Sequence, residues 1–270
     1  MEHNARMDRL RVATYNIHKG VQGVGPAQRL EIHNLGLAVE QFDADIVCLQ
    51  EVRHFHRRHS HRFERWPPEP QAEYLAPPGY HAVYRTNAVT RYGEHGNAVL
   101  TRWPVLTHQH EDVSDHRLEQ RGLLHVVVMF QDQPVHVIVV HLGLLAGSRR
   151  RQVEQLKRFV EREVPSQEPL VVAGDFHGWG ASLAPALERA GLCEGAGGAT
   201  PTFPSRLPLV QLDYIYTRGL QPRNRFTPHG PAWGRFSDHL PLIADFHWPQ
   251  VAQPELRQEP LDEHQDATPR

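Results

Sequence analysis

Short apolar runs that end in polar residues recur along this chain. The sharpest is Leu170-Val171-Val172-Ala173, which breaks at Gly174 and is followed by Asp175, Phe176 and His177. An apolar run of this length between turn signals reads as a buried strand. Residues two apart on an extended chain point the same way, so Asp175 and His177 are expected to project from one sheet edge. That edge is where α/β folds place their chemistry. Val12 to Asn16, Ile46 to Glu51, Val137 to His141 and Gln211 to Tyr216 share the design. Ser237-Asp238-His239 places its polar residues just before another strand.

In chain order, Arg9 to Asn16 is the first expected strand, and Ile17 to Gly20 turns out of it. Val21 to Pro26 is glycine-rich loop, and Gln28 to Gln41 suits an amphipathic helix. Ile46 to Leu49 is the second strand. Tyr80 to Arg85 and Gly96 to Arg102 are strands joined by a polar loop holding Glu94 and His95. Gly122 to Phe130 and Pro134 to His141 read as an antiparallel pair. Ser148 offers an N-cap for a helix running through Glu163. Ala181 to Ala190 is a short helix, Glu194 to Thr200 a glycine-rich loop, and Leu209 to Tyr216 and Leu240 to Phe246 are the last strands. Many strands with few helices imply an α/β fold of α+β type, with two packed, mostly antiparallel sheets flanked by helices. One domain over residues 9–248 is expected, followed by a polar, proline-bearing tail at 249–270 that should be disordered.

Composition narrows the function classes. With 270 residues and 40% apolar content the chain can build a large core. A net charge of −2 gives no global pull toward nucleic acid or anionic membrane. Cys48 and Cys193 are far apart and read as buried free thiols, in keeping with a reducing compartment. No apolar run approaches the ~20 residues of a membrane span, and Met1 to Asp8 lack a signal core. A soluble, cytoplasmic, monomeric protein is expected. The 20 histidines are scattered, and most should lie on the surface.

Two basic stretches stand out. Arg53 to Arg65 holds five arginines and four histidines directly after a strand end. It is either a lip for a phosphate-bearing substrate or a solvated loop or short helix. Arg149, Arg150 and Arg151 occupy the first turn of a helix, where cations oppose the helix dipole. Solvent exposure is preferred there over a bound phosphate.

The polar residues beside strand ends are Asn16, Glu51, Arg121, His141, Asp175, His177, Asp213, Asp238 and His239. Carboxylates with an amide oxygen suit a hard ion such as Mg²⁺ or Mn²⁺. No HExxH motif, cysteine pair, Walker loop, dinucleotide fingerprint or Gly-x-Ser-x-Gly elbow is present. Metal-assisted attack of water on a phosphate ester remains.

Thr14-Tyr15-Asn16-Ile17, Leu49-Gln50-Glu51-Val52, Val140-His141-Leu142, Gly174-Asp175-Phe176, Leu212-Asp213-Tyr214-Ile215 and Ser237-Asp238-His239 follow one another in an order and spacing that resembles the endonuclease/exonuclease/phosphatase (DNase I-like) family. Tyr15 to Gly20, His95 to Leu100 and Thr202-Phe203-Pro204 look like its bacterial YbhP-type branch. The resemblance spans Leu10 to Trp248 and implies a four-layer α/β sandwich. It also implies roles. Glu51 would be the principal metal ligand, with Asn16 beside it and Asp238 near the site. Asp175 would orient or deprotonate the attacking water. His239, paired with Asp213, would stabilise charge on the phosphoryl oxygens. His141 would contact the phosphate or assist the leaving group, Arg121 would bind phosphate, and Glu94 would orient a histidine.

His177 departs from the family pattern, which has asparagine there. Imidazole still donates a hydrogen bond, so an altered but active site is expected, against the alternative of a non-catalytic binding protein. The expected activity is phosphodiester hydrolysis, with phosphomonoesters as the competing reading. The substrate would be a nucleic acid, a lipid headgroup or a small phosphate ester.

Overall fold

The computed structural model describes residues 8–178, 183–194 and 198–248. The first strands are β1 (Arg9–Asn16), β2 (Val21–Gln22), β3 (Arg29–Leu30), β4 (Ile46–Val52), β5 (His81–Thr90), β6 (Gly93–Thr101) and β7 (Val105–Asp112). They are followed by β8 (Gly122–Phe130), β9 (Gln133–His141), β10 (Leu170–Asp175), β11 (Cys193–Glu194), β12 (Asp213–Arg218), β13 (Gln221–Phe226) and β14 (Leu242–His247). The α-helices are α1 (Ile32–Gln41), α2 (Arg57–Arg62), α3 (Gln71–Leu75), α4 (Ala146–Glu163), α5 (Ala184–Glu188) and α6 (Trp233–Phe236).

Two six-stranded sheets carry the architecture, in the orders β13-β14-β1-β4-β6-β5 and β11-β12-β10-β9-β8-β7. Each is antiparallel except for one parallel pair at its centre, β1 with β4 and β9 with β10. The apolar runs form these central strands because both of their faces are covered. Val12, Cys48, Val99, Val126, Val137, Val139, Val171 and Ala173 meet between the sheets. Ala13, Tyr15, Val47 and Leu49 turn outward onto Ile32, Leu35 and Val39 of α1. Ile138, Val140 and Val172 turn outward onto Val153, Leu156, Phe159 and Val160 of α4. The result is the four-layer α/β sandwich expected from the sequence. Among the described residues no helix is long and apolar enough to cross a membrane.

Several local expectations are corrected. Helix α1 starts at Ile32 because Arg29–Leu30 instead pairs with Val21–Gln22. Glu94 and His95 lie within β6, since β5 and β6 continue to a tight hairpin at Arg91 and Tyr92. Ser148 does not cap α4: Leu145 is the N-cap residue, and the Ser148 hydroxyl donates to Asp115 at 2.6 Å. Arg151 pairs with the same carboxylate, while Arg149 turns back onto the carbonyls of Gly143 and Leu144. Arg150 and Arg151 are exposed, as expected, and only Arg149 is buried against backbone carbonyls instead of facing solvent. Cys48 is buried as expected, but Cys193 is exposed on the short edge strand β11. The basic stretch after β4 contains the short helix α2, with Arg57, Arg58 and Arg62 on its exposed side. Ala181, the expected start of the helix around Pro185, part of the 194–200 loop and the tail from Pro249 lie outside the described residues.

Among the described residues six histidines are buried, and twelve keep some exposure. His125, His136 and Glu168 form a chain beneath Phe159, with Nε2 of His125 donating to Nδ1 of His136 at 2.9 Å. Gln109 donates to the remaining nitrogen of His125, which leaves no room for a second ring proton. Burial, helped by His136, pushes His125 down to about 4. A base with a lowered folded pKa binds its proton only in the unfolded chain, so stability is complete above about pH 6.5 and is lost toward about pH 4. The loss from this residue should be on the order of 2 kcal/mol. Melting curves across that range should show it, and His125→Gln should flatten the decline. A wild-type melting temperature that stays level through the range would contradict the neutral assignment.

Candidate active site

The two central parallel pairs decide where the polar residues gather. Asn16 ends β1, His141 ends β9 and Asp175 ends β10, while Asp213 begins β12, which runs antiparallel to β10. In register, Asp175 sits abreast of His141 on one side and Asp213 on the other. The sheets face each other, so Asn16 of the first sheet reaches Asp175 of the second, donating from Nδ2 to Oδ2 at 3.1 Å.

Asp175 is completely buried and is the hub of this cluster. Its Oδ1 accepts the backbone N–H of His177 at 2.9 Å, an Asx-type turn that closes the strand end. Its Oδ2 faces three imidazole Nε2 atoms, at 3.8 Å from His141, 3.5 Å from His177 and 3.6 Å from His239. The His177 ring donates from Nδ1 to the Leu142 carbonyl at 2.9 Å and stacks on His141. Imidazole at this position therefore fills the cluster without expelling its neighbours.

His239 pairs through Nδ1 with Oδ2 of Asp213 at 2.8 Å, and the Thr202 hydroxyl donates to the same oxygen at 2.6 Å. Burial opposes a charge on His239, but Asp213 and Asp175 outweigh it and hold the imidazole protonated up to about 10. Oδ1 of Asp213 is buried with no hydrogen-bond partner. His141 goes the other way: burial, then the nearby Arg121, drive it well below its ordinary range, so its ring is neutral. One site thus holds a cationic imidazole and a neutral one.

Glu51 and Asp238 stand apart from that hub. The β4 strand shifts register against β6 between Leu49 and Val52, and Glu51 takes φ +57 at this irregularity. Such a break re-aims a side chain. Lys19 Nζ lies 2.5 Å from Glu51 Oε2. Burial alone would raise the Glu51 carboxyl, and the Lys19 ammonium reverses this to hold it below its ordinary value. His18 Nδ1 lies 3.2 Å from Asp238 Oδ1; burial again pulls upward, and His18 overcomes it to bring Asp238 down to about 2. Ser237 Oγ donates to the Asn16 carbonyl at 2.6 Å, fastening the Ser237-Asp238-His239 segment to the end of β1.

His18, Lys19, Glu51 and His177 all have left-handed backbone angles, with φ of 45°, 62°, 57° and 45°. Each costs about 1–2 kcal/mol for a residue with a Cβ. Strain of this kind, concentrated at strand ends beside buried carboxylates, marks a site that the rest of the fold holds in place.

Arg121 lines a cleft of about 690 Å³ together with Lys19, Glu51 and His95. Its guanidinium donates to the Leu142 carbonyl at 3.1 Å, the Gln120 carbonyl at 3.2 Å and Glu119 at 3.0 Å. That leaves donors facing the cleft, although much of the group is spent on structure. Glu94 does not orient a site histidine: it lines a separate hollow with His54 and Tyr84, on the opposite face of β6 from His95. Lys19, His18, His95 and Thr202 join the site; all four stand in the branch-type motifs of the sequence, which assigned none of them a role. His18 and Lys19 lie two and three residues past the end of β1, a second signal that could have drawn attention to them.

Asn16, Glu51 and Asp238 offer oxygen donors suited to a hard divalent ion, and the two carboxylates are held ionised. Two further sets exist. His141, Asp175 and His177, and separately Asp175, Asp213 and His239, each place their ligand atoms within 4.8 Å of one another.

A model of the endonuclease/exonuclease/phosphatase family matches residues 13–239. Uncharacterized protein YbhP of Escherichia coli (strain K12) is 38% identical over 245 residues, covering 88% of this chain and 96% of that protein. Among solved structures, an endonuclease/exonuclease/phosphatase from Beutenbergia cavernae superposes with a TM-score of 0.69 at 20% identity, covering 89% of this chain and 72% of that one. The mannosyl-6-phosphatase Bt3783 of Bacteroides thetaiotaomicron gives a TM-score of 0.67 at 16% identity, covering 88% of this chain and 100% of that one. At these identities the structural likeness shows the fold alone.

Proposed function

The chain belongs to the endonuclease/exonuclease/phosphatase family, and from that premise we propose that it hydrolyses a phosphodiester in a reaction dependent on Mg²⁺ or Mn²⁺. The observation that carries this reading is the cluster around Asp175, where a buried carboxylate meets a cationic imidazole, a neutral imidazole and an amide. Asp175 would receive the proton of the attacking water or orient that water. His239, held as a cation by Asp213, would face the charge that develops on the phosphoryl oxygens. Neutral His141 would contact a phosphoryl oxygen or the leaving oxygen. His177 would take the hydrogen-bonding place expected for an asparagine. Lys19 and Arg121 would draw the phosphate into the cleft. Water adds to phosphorus, one ester P–O bond breaks, and the proton lost by water ends on the departing alcohol.

Asn16, Glu51 and Asp238 would hold the divalent ion, which when bound would neutralise charge on the phosphate.

The test is hydrolysis of bis-p-nitrophenyl phosphate beside p-nitrophenyl phosphate with Mg²⁺, Mn²⁺ or EDTA. Diester turnover with metal and none with EDTA is expected. Glu51→Gln should weaken Mn²⁺ binding, followed by electron paramagnetic resonance, by about tenfold or more. Turnover undiminished by EDTA, or faster cleavage of the monoester, would sink the reading.

A further inference from the structure

The mouth of the cleft that leads to Lys19, Glu51 and Arg121 is apolar. Leu118 is 96% exposed, Val89 68%, Leu144 65% and Leu145 61%, and all four line this one opening. They come from three separate segments: the end of β5, the loop between β7 and β8, and the loop between β9 and α4. Single exposed apolar residues are ordinary, but a cluster around a charged cleft calls for an occupant. Next to Val89, at the hairpin tip, the exposed Arg91 lies over the ring of Tyr92. Arg117 precedes Leu118, and Arg150 stands in the helix that follows Leu144 and Leu145; both arginines are exposed. The acids of this rim are already covered, Glu119 by Arg121 and Asp115 by Arg151 and Ser148.

We propose that this rim docks the protein on a phospholipid surface, so that the cleft takes the phosphate of a lipid headgroup. Aliphatic side chains outermost, with arginine and tyrosine set just behind them, match the depth profile of an interface in which apolar tips enter the acyl region and cations meet the phosphates. Leucines this exposed and this far apart in sequence enclose no pocket for a single chain, whereas an extended apolar phase would cover them together. A nucleic acid would call for stacking rings along a basic track, which aliphatic side chains do not supply. A protein seated here would block the mouth of the cleft that holds Lys19, Glu51 and Arg121. The docking stands on the rim alone. The lipid substrate class rests on the phosphodiesterase reading.

The experiment is flotation of the full chain with vesicles of phosphatidylcholine alone or mixed equally with phosphatidylglycerol. The wild type should float with vesicles, more so with the mixed ones. Leu118→Asp combined with Leu145→Asp should cut the bound fraction about tenfold with an unchanged melting curve. Leu118→Trp should shift its emission to the blue when mixed vesicles are added. Asp175→Asn should still float. A wild type that floats without releasing any headgroup supports the rim and counts against the hydrolytic reading. The rim proposal is overturned if the wild type does not float, if the double aspartate variant floats equally well, or if the tryptophan emission stays put. Binding of a duplex or single-stranded oligonucleotide that the double variant loses would also overturn it.

Discussion

Asp175→Asn is expected to lower kcat for bis-p-nitrophenyl phosphate by about a thousandfold, within the range lost when a positioned acid–base group is removed. The change keeps volume and shape but deletes the charge at the centre of the cluster. Oδ1 can still accept from the His177 N–H, but the new amide would then point a donor at the Asn16 amide that donates to Oδ2 now. One mismatched pair costs about 1–3 kcal/mol, so the variant should fold with a lowered melting temperature. His239 would also lose one of the three carboxylates that hold its proton. The measurement is steady-state turnover at saturating Mn²⁺ beside a melting curve. A folded Asp175→Asn with wild-type kcat would remove Asp175 from the reaction, and with it the role given to the whole cluster.

Most of this site could be read from the chain because it stands where buried strands end. Asn16, Glu51, His141, Asp175 and Asp213 each follow or open an apolar run, and burial on two faces makes such runs conspicuous. Of the missed strands, the two longest, β7 and β13, are both sheet edges. Val105 to Asp112 and Gln221 to Phe226 are covered on one side only, so their residues are mostly polar and leave no apolar run. Lys19 and His18 were hidden for a different reason. Their placement depends on left-handed backbone angles that residues with a Cβ seldom adopt. Arg149 misled because its partners, the carbonyls of Gly143 and Leu144, come from a loop whose path only the fold determines. Glu94 differs again, since its pairing with a histidine was inferred from nearness along the chain, and alternation in β6 sends it to the other face.

Gly174→Ala should cost about 3–5 kcal/mol, among the largest effects of any single methyl group in this chain. Gly174 has φ +149, an angle that L side chains rarely adopt, and it lies abreast of Val140 in the parallel β9–β10 pair. A Cβ built there would stand 1.9 Å from the Val140 carbonyl oxygen and 2.8 Å from its carbon. Both are backbone atoms in the middle of a sheet, so no flexible side chain can move aside. β10 would have to retreat from β9, across the core shared by Val139, Val171 and Ala173. Domains of this size are stabilised by roughly 5–15 kcal/mol, so Gly174→Ala should melt about 10 °C or more below wild type and accumulate less soluble chain. The same close approach sets Asp175 beside His141 one residue later. Whatever fraction still folds should therefore lose turnover as well, with Mn²⁺ affinity less affected because Asn16, Glu51 and Asp238 hang on the other sheet or its flanking turn. Wild-type melting in Gly174→Ala would mean that β9 and β10 are not packed this closely, and the placement of Asp175 against His141 would fall with that spacing.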